Sequence, residues 1–385
     1  MTRLEPTRSG ALTPRTTSPA VPPTDVSTVD SSATGSRAVG RNRRAARIIV
    51  TTIILSIAAG TVALLTAGTG QYAAGPGDVV GSLVRGVLGR TDDATVQLDA
   101  VLWSIRFPRA LLALIAGACL AVAGAVMQGV FANPLAEPSI VGVNSGASVG
   151  ATLVIVTGVT LTASWALPVA AFAGALVVTL LVWSLSRAGG KAAVLTLVLA
   201  GIAINAVASA VTSFLIFLGD ASSREQVIFW QLGTLSGASW GSVAVTAGVF
   251  AVGFTGCLLI RTQLDVLALG DSSAASSGVR VEWLRVGAIL LSCLLTGTAV
   301  AFGGVIAFVG LIVPHAIRLA VGPSHRALVP LSALGGAVLL GAADIAARTI
   351  VPFADLPIGI FTAVVGGPLF LILLRRTLRG QGARA

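Results

Sequence analysis

Arg106 and Arg109 stand three residues apart in "SIRFPRALLALIAG". On a helix this spacing sets both guanidiniums on one face, where they can offer a forked pair of cations to carboxylates. A third arginine, Arg348, follows Asp344 by four residues, the spacing of an ion pair along one helix. Other chemistry-bearing residues are few. His315 and His325 lie ten apart with no carboxylate beside them, which reads as capping or interfacial hydrogen bonding. Asp92 and Asp93 form an acidic pair with no second acidic cluster to complete a metal or diphosphate site. "AGGKAAV" (Ala188–Val194) has one lysine but neither the spacing nor the following Ser or Thr of a phosphate-cradling loop. Cys119, Cys257 and Cys293 each sit inside an apolar run, where they act as small hydrophobes and form no pairwise framework. No acid, base and metal ligand converge, so the residues argue against an enzyme.

The elements that must position these residues are membrane helices. Hydrophobic residues make up 55% of the 385 and charged residues 10%, with a mean hydropathy of +0.93. That leaves too little polar surface to clothe a soluble globule. Residues 1–44 differ: rich in Ser, Thr, Pro and Arg, they cannot bury enough surface to offset ordering entropy and read as a disordered tail. The apolar run from Ile48 has no small-residue cleavage pattern and reads as a span, not a signal peptide. A span needs about 20 mostly apolar residues. That template predicts an all-α membrane protein with about ten transmembrane helices: Ile48–Leu65, Ala110–Gln128, Ile140–Leu161, Leu167–Leu185, Ala192–Leu218, Val243–Ile260, Val286–Phe302, Val305–Val321, Leu328–Ile345 and Ile358–Leu374. Gly303 and Gly304 between the seventh and eighth are read as a tight turn or a kink in one bent helix. Residues 45–376 form the helical domain, and residues 377–385 a short basic tail.

Lys and Arg counts orient the bundle. With the tail inside, cytoplasmic segments collect Arg37, Arg41, Arg43, Arg44, Arg47, Arg187, Lys191, Arg261, Arg280, Arg285, Arg318, Arg326, Arg375, Arg376 and Arg379. The outer segments keep Arg85, Arg90, Arg106, Arg109, Arg224 and Arg348. Both termini are therefore expected in the cytoplasm. Small residues four apart, such as Gly117, Ala121 and Ala125, suit close backbone approach where lipid offers little hydrophobic drive. Spans two to five and seven to ten form two groups of four with opposite starting sides, the arrangement of an inverted repeat. A charge at mid-bilayer costs about 2.5–3.5 kcal/mol on insertion scales, so a proton- or sodium-coupled carrier usually shows acids deep in its spans. Glu137 is read as part of a cytoplasmic loop, "ANPLAEP", and Asp344 as lying near the outer end of span nine. The chain then has no power source of its own.

"IRFPRALLALIAGACLAVAGAVMQGVFANPLAEPSIVGVNSGASVGA" (Ile105–Ala151), "WQLGTLSGASW" (Trp230–Trp240), "LALGDSSAASSGVR" (Leu267–Arg280), the stretch from Gly303 to Arg348 and "DLPIGIFTAVVGGPLFLILLRR" together resemble the FecCD family. Its members are permease subunits of ATP-driven importers for ferric siderophores, haem and vitamin B12. The resemblance covers nearly everything from Ile48 to Arg376. It implies a type II ABC importer permease with ten spans and both termini cytoplasmic, a multi-pass protein of the cytoplasmic membrane surrounded by lipid. The implied partners are a second permease, identical or a sister chain, two cytoplasmic ATPase subunits and an extracytoplasmic binding protein, with no nucleic acid. ATP and Mg belong to the ATPase, and no cofactor is implied in this chain.

By resemblance, Arg106, Arg109 and Arg348 match arginines that grip acidic residues of the binding protein; snorkelling, or an Arg348–Asp344 pair, is the alternative. Leu267–Arg280 resembles the segment that couples to the ATPase. There Leu267, Gly270, Ala274, Ala275 and Gly278 are read as the contact, small residues allowing close approach; an ordinary polar loop is the alternative. "GPSHR" (Gly322–Arg326) is a second candidate surface for the ATPases. Gly189 and Gly190 resemble the cytoplasmic gate. Two positions depart from the family pattern: Ala132 stands where Arg usually precedes "NPLA", and Asp355 where Glu usually precedes "LPIG". The expected function is import of ferric siderophores. Vitamin B12 or haem import by the same architecture, or a stand-alone secondary transporter, are the alternatives.

Overall fold

The computed structural model describes residues 31–70, 74–90, 93–161, 163–187, 194–351 and 353–382. Among them the regular elements are all helical. In chain order they are α1 (Ser31–Gly68), α2 (Pro76–Leu88), α3 (Val96–Val101), α4 (Phe107–Val130), α5 (Val143–Val156), α6 (Ala166–Ser186), α7 (Val194–Leu218), α8 (Ala221–Gln231), α9 (Trp240–Leu267), α10 (Asp271–Ser276), α11 (Val281–Gly303), α12 (Val309–Val321), α13 (His325–Thr349) and α14 (Ile358–Gly382). A π-helical turn, Leu102–Arg106, joins α3 to α4.

Seven helical runs are long and apolar enough to cross a bilayer; Val143–Val156, Val309–Val321 and Ile358–Ile372 are shorter apolar helices. Each expected span coincides with one of these ten. The third is trimmed because residues 138–141 form a 3-10 turn and Gly142 takes φ 86° before α5 can start. The Gly303–Gly304 junction is a turn, not a kink. Gly304 at φ 69° and Phe308 at φ 67° end one helix and delay the next to Val309.

The chain divides into two compact units, residues 1–45 and 46–385. In the first, where the sequence reading expected a disordered tail, the described residues are helical from Ser31. Ala and Arg are good helix formers, and extending an existing helix costs far less than nucleating one. Residues 1–30 lie outside the described residues. At the other end α14 continues to Gly382, so most of the expected basic tail is helix.

Helix α4 is the axis of the second unit, with nearly every residue from Phe107 to Val130 buried. It can be central because it is thin. A Cβ added at Gly117 would stand 2.2 Å from the Gly336 carbonyl oxygen of α13, and one at Gly124 would stand 1.8 Å from that of Gly310 in α12. Ala121 faces Gly336 in the same seam, so the small-residue pattern does serve backbone approach. By contrast, α1 turns Ile49, Ile53, Ile54 and Ile57 outward. The loop after α8 is pinned by main-chain bonds: Thr234 N–H donates to the Gly303 oxygen at 2.9 Å, and Ile358 N–H to that of Gly233 at 2.9 Å.

One segment departs from the sequence reading. After α4 the chain turns at Ala132, which takes φ 46°, and runs back alongside the helix it has left. Pro138 and the Leu120 carbonyl both lie against Gly310, and the Ile140 oxygen reaches Gly201 within α7. Glu137 is therefore carried inward among the helices rather than left in a surface loop.

Candidate functional site

One end of the bundle gathers the three arginines; Arg106 and Arg109 are buried, and the Arg348 side chain is largely covered. Arg106 donates from Nη1 to the carbonyl oxygens of Ala67 at 3.3 Å and Gly68 at 3.0 Å, satisfying carbonyls that the last turn of α1 leaves without intrahelical donors. Arg348 donates to Thr66 O and Thr69 O, each at 2.8 Å, and pairs with Asp344 at 2.9 Å along α13. Arg109 donates from Nε to Asp344 at 2.9 Å and from Nη1 to Asp355 at 2.5 Å. Asp344 is 0% exposed, whereas Asp355 is 44% exposed. The expectation of a forked pair of free cations thus changes. These guanidiniums clasp α1, α4, α13 and the turn before α14, because a buried charge left unpaired would be far more costly than one that is paired. Asp355, noted in the sequence as a departure, is the clasp's surface member.

The opposite end holds the segment from Leu267 to Arg280. Gly270 and Gly278 take φ 105° and 82°, with nothing within 4 Å of an added Cβ. Their backbone conformation favours glycine. Of the residues expected to make the contact, Leu267 and Ala274 face the chain's own interior, whereas Gly270, Ala275 and Gly278 are exposed. The segment also presents Leu269, 74% exposed. Helix α10 is held by Arg285, which donates to Asp271 at 2.8 Å.

Two turns before α10, Asp265 closes the junction with α13. Its Oδ1 accepts from His325 N at 2.7 Å and lies 2.6 Å from His325 Nδ1, while Oδ2 accepts from Ser324 Oγ at 2.9 Å. A carboxylate thus caps the N-terminus of α13, where N–H groups lack partners. No carboxylate neighbours His325 along the chain; the fold supplies Asp265. His325 is buried, so within "GPSHR" it is Pro323 and Arg326 that are exposed. Gly189 and Gly190, the expected gate, lie outside the described residues, as does Asp92.

Comparison with known proteins bears on these two ends. The FecCD transport family model matches residues 48–376. The chain is 43% identical over 276 residues to the hemin transport system permease protein of Yersinia pestis, covering 71% of this chain and 82% of that one. It is 43% identical over 279 residues to the cobalamin import system permease protein of Halobacterium salinarum, covering 72% and 74%. A Bacillus subtilis permease named for a siderophore transport system is 38% identical over 335 residues, covering 86% and 95%. Among solved structures, an inward-facing ABC transporter described as metal-chelate type superimposes with a TM-score of 0.74 at 31% identity, covering 84% of this chain and 98% of that one.

Proposed function

Because the chain belongs to the FecCD transport family, we propose that it carries ferric siderophores, drawn from an extracytoplasmic binding protein and moved between two permease copies or sister chains. The coarser statement is established: it is the permease of a binding-protein-dependent ABC importer with the type II fold, multi-pass in the cytoplasmic membrane, and not itself an enzyme. ATP is handled by the partner ATPase. The siderophore reading is supported by the breadth of the match to the Bacillus subtilis permease, 95% of whose length is covered. The hemin and cobalamin permeases match at higher identity over less of their length. Uptake of labelled ferric siderophore, haem and cobalamin by the assembled transporter decides among them. Siderophore uptake alone is expected; uptake of only haem or cobalamin overturns the choice.

The geometry supports a division of labour. The arginine end faces outward in this proposal and receives the binding protein, whose carboxylates reach Arg109 by exchanging with the half-exposed Asp355. The end bearing α10 meets the ATPase pair through Leu269 and Ala275. Helix α13 runs between them, from His325 on Asp265 to Arg348 in the clasp. Its 25 residues give a rod of about 37 Å at 1.5 Å per residue.

A further inference from the structure

Glu137 is the polar group that the importer reading leaves without work. The segment Phe131–Gly142 doubles back so that Pro138 lies level with Leu120. Leu120 is ten residues up α4 from Val130, about 15 Å at 1.5 Å per residue. There Glu137, Ser139, Asn144 and Thr296 border a small, partly open cavity of about 20 Å³ that Leu120 and Phe308 also line. Phe308 holds a left-handed backbone, φ 67°, which costs a bulky residue energy and persists only where its surroundings demand it.

Three of the residues around this cavity carry side-chain oxygens that could coordinate a cation. Among the described residues the Glu137 carboxylate has one hydrogen bond, from Ser139 Oγ. Asn144 Oδ1 and Thr296 Oγ1 are buried without any partner, and Thr296 is only 3% exposed. Neither Arg, Lys nor His lines the cavity. Buried carboxylates are paired, protonated or bound to cations, and unmet buried oxygens demand an explanation. The volume admits one water-sized occupant. A single carboxylate with neutral oxygens suits a hard monovalent ion better than calcium, which takes six to eight oxygen ligands.

We propose that this niche binds one sodium ion through the carboxylate of Glu137, Asn144 Oδ1 and Thr296 Oγ1. The site does not depend on which chelate the permease carries. Its test is equilibrium binding of radiolabelled sodium to the purified full-length chain, with thermal melts in sodium chloride and choline chloride at equal ionic strength. About one sodium per chain is expected, together with a melting temperature raised by about 2–4 °C. Glu137→Gln abolishes both effects and Thr296→Val weakens binding several-fold. A wild-type chain that binds no sodium above background and melts alike in both salts overturns the proposal. So does a sodium-induced shift that survives in Glu137→Gln. The wild-type binding measurement stands even if a variant fails to fold.

Discussion

At the arginine end Asp344 is fully buried and shared by Arg109 and Arg348, each of which reaches further partners on α1 or beside α14. At the opposite end the ion pair holding α10 has one member largely in solvent, since Asp271 is 59% exposed. A buried network in which every charge is answered fixes one arrangement and is costly to break. A half-solvated pair holds a short helix in place while leaving it free to move with a partner. In the proposed function the first end is the outer frame that receives the binding protein and the second the lever that meets the ATPase.

The sharpest way to break this contrast is Asp344→Ala, which removes the buried carboxylate shared by two guanidiniums and is expected to cost about 3 kcal/mol. It reads out as a large fall in melting temperature of the purified chain; a change below about 1 kcal/mol would put the arginine end on a par with the other. Asp265→Ala removes three charge-assisted bonds at the start of α13 and should cost about 1.5–3 kcal/mol by the same melt. It should also lower the substrate carried per ATP in the assembled transporter. Asp271→Ala is expected to cost no more than about 1 kcal/mol while reducing ATPase-driven uptake. Stability lost without loss of uptake would show α10 to be ordinary scaffold.

The smallest effect concerns Asp220, an exposed cap at the start of α8 whose carboxyl is held below the usual carboxylate range by the Ser223 N–H. A group lowered in the folded chain contributes stability present above its unfolded pKa and lost as pH falls through the folded value. Hydrogen exchange at the first turn of α8 should therefore rise only below about pH 4. Asp220→Ala should raise exchange at neutral pH and flatten that dependence.

The spans were legible because long apolar runs have one main use, and the Gly117–Ala121 seam because small residues in lipid mark close packing. The partners of the charged residues were not. Arg109 finds Asp344 and Asp355 across 235 and 246 residues, and His325 finds Asp265 across 60, distances that only the assembled fold brings together. Glu137 was misplaced because "NPLAEP" has the composition of a surface turn, and nothing local reveals that the chain re-enters. Gly270 and Gly278 were visible as small residues, but their positive φ was not.

This chain is a permease that a neighbouring ATPase drives. The direct measurement is uptake into proteoliposomes holding the chain with its sister or second copy, binding protein and ATPase, compared with the same assembly carrying a hydrolysis-dead ATPase and with this chain alone under an imposed sodium gradient. Concentrative uptake is predicted in the first case and none in the other two. Accumulation of substrate by this chain alone on the sodium gradient would contradict the account, making it a secondary carrier with Glu137 at its centre.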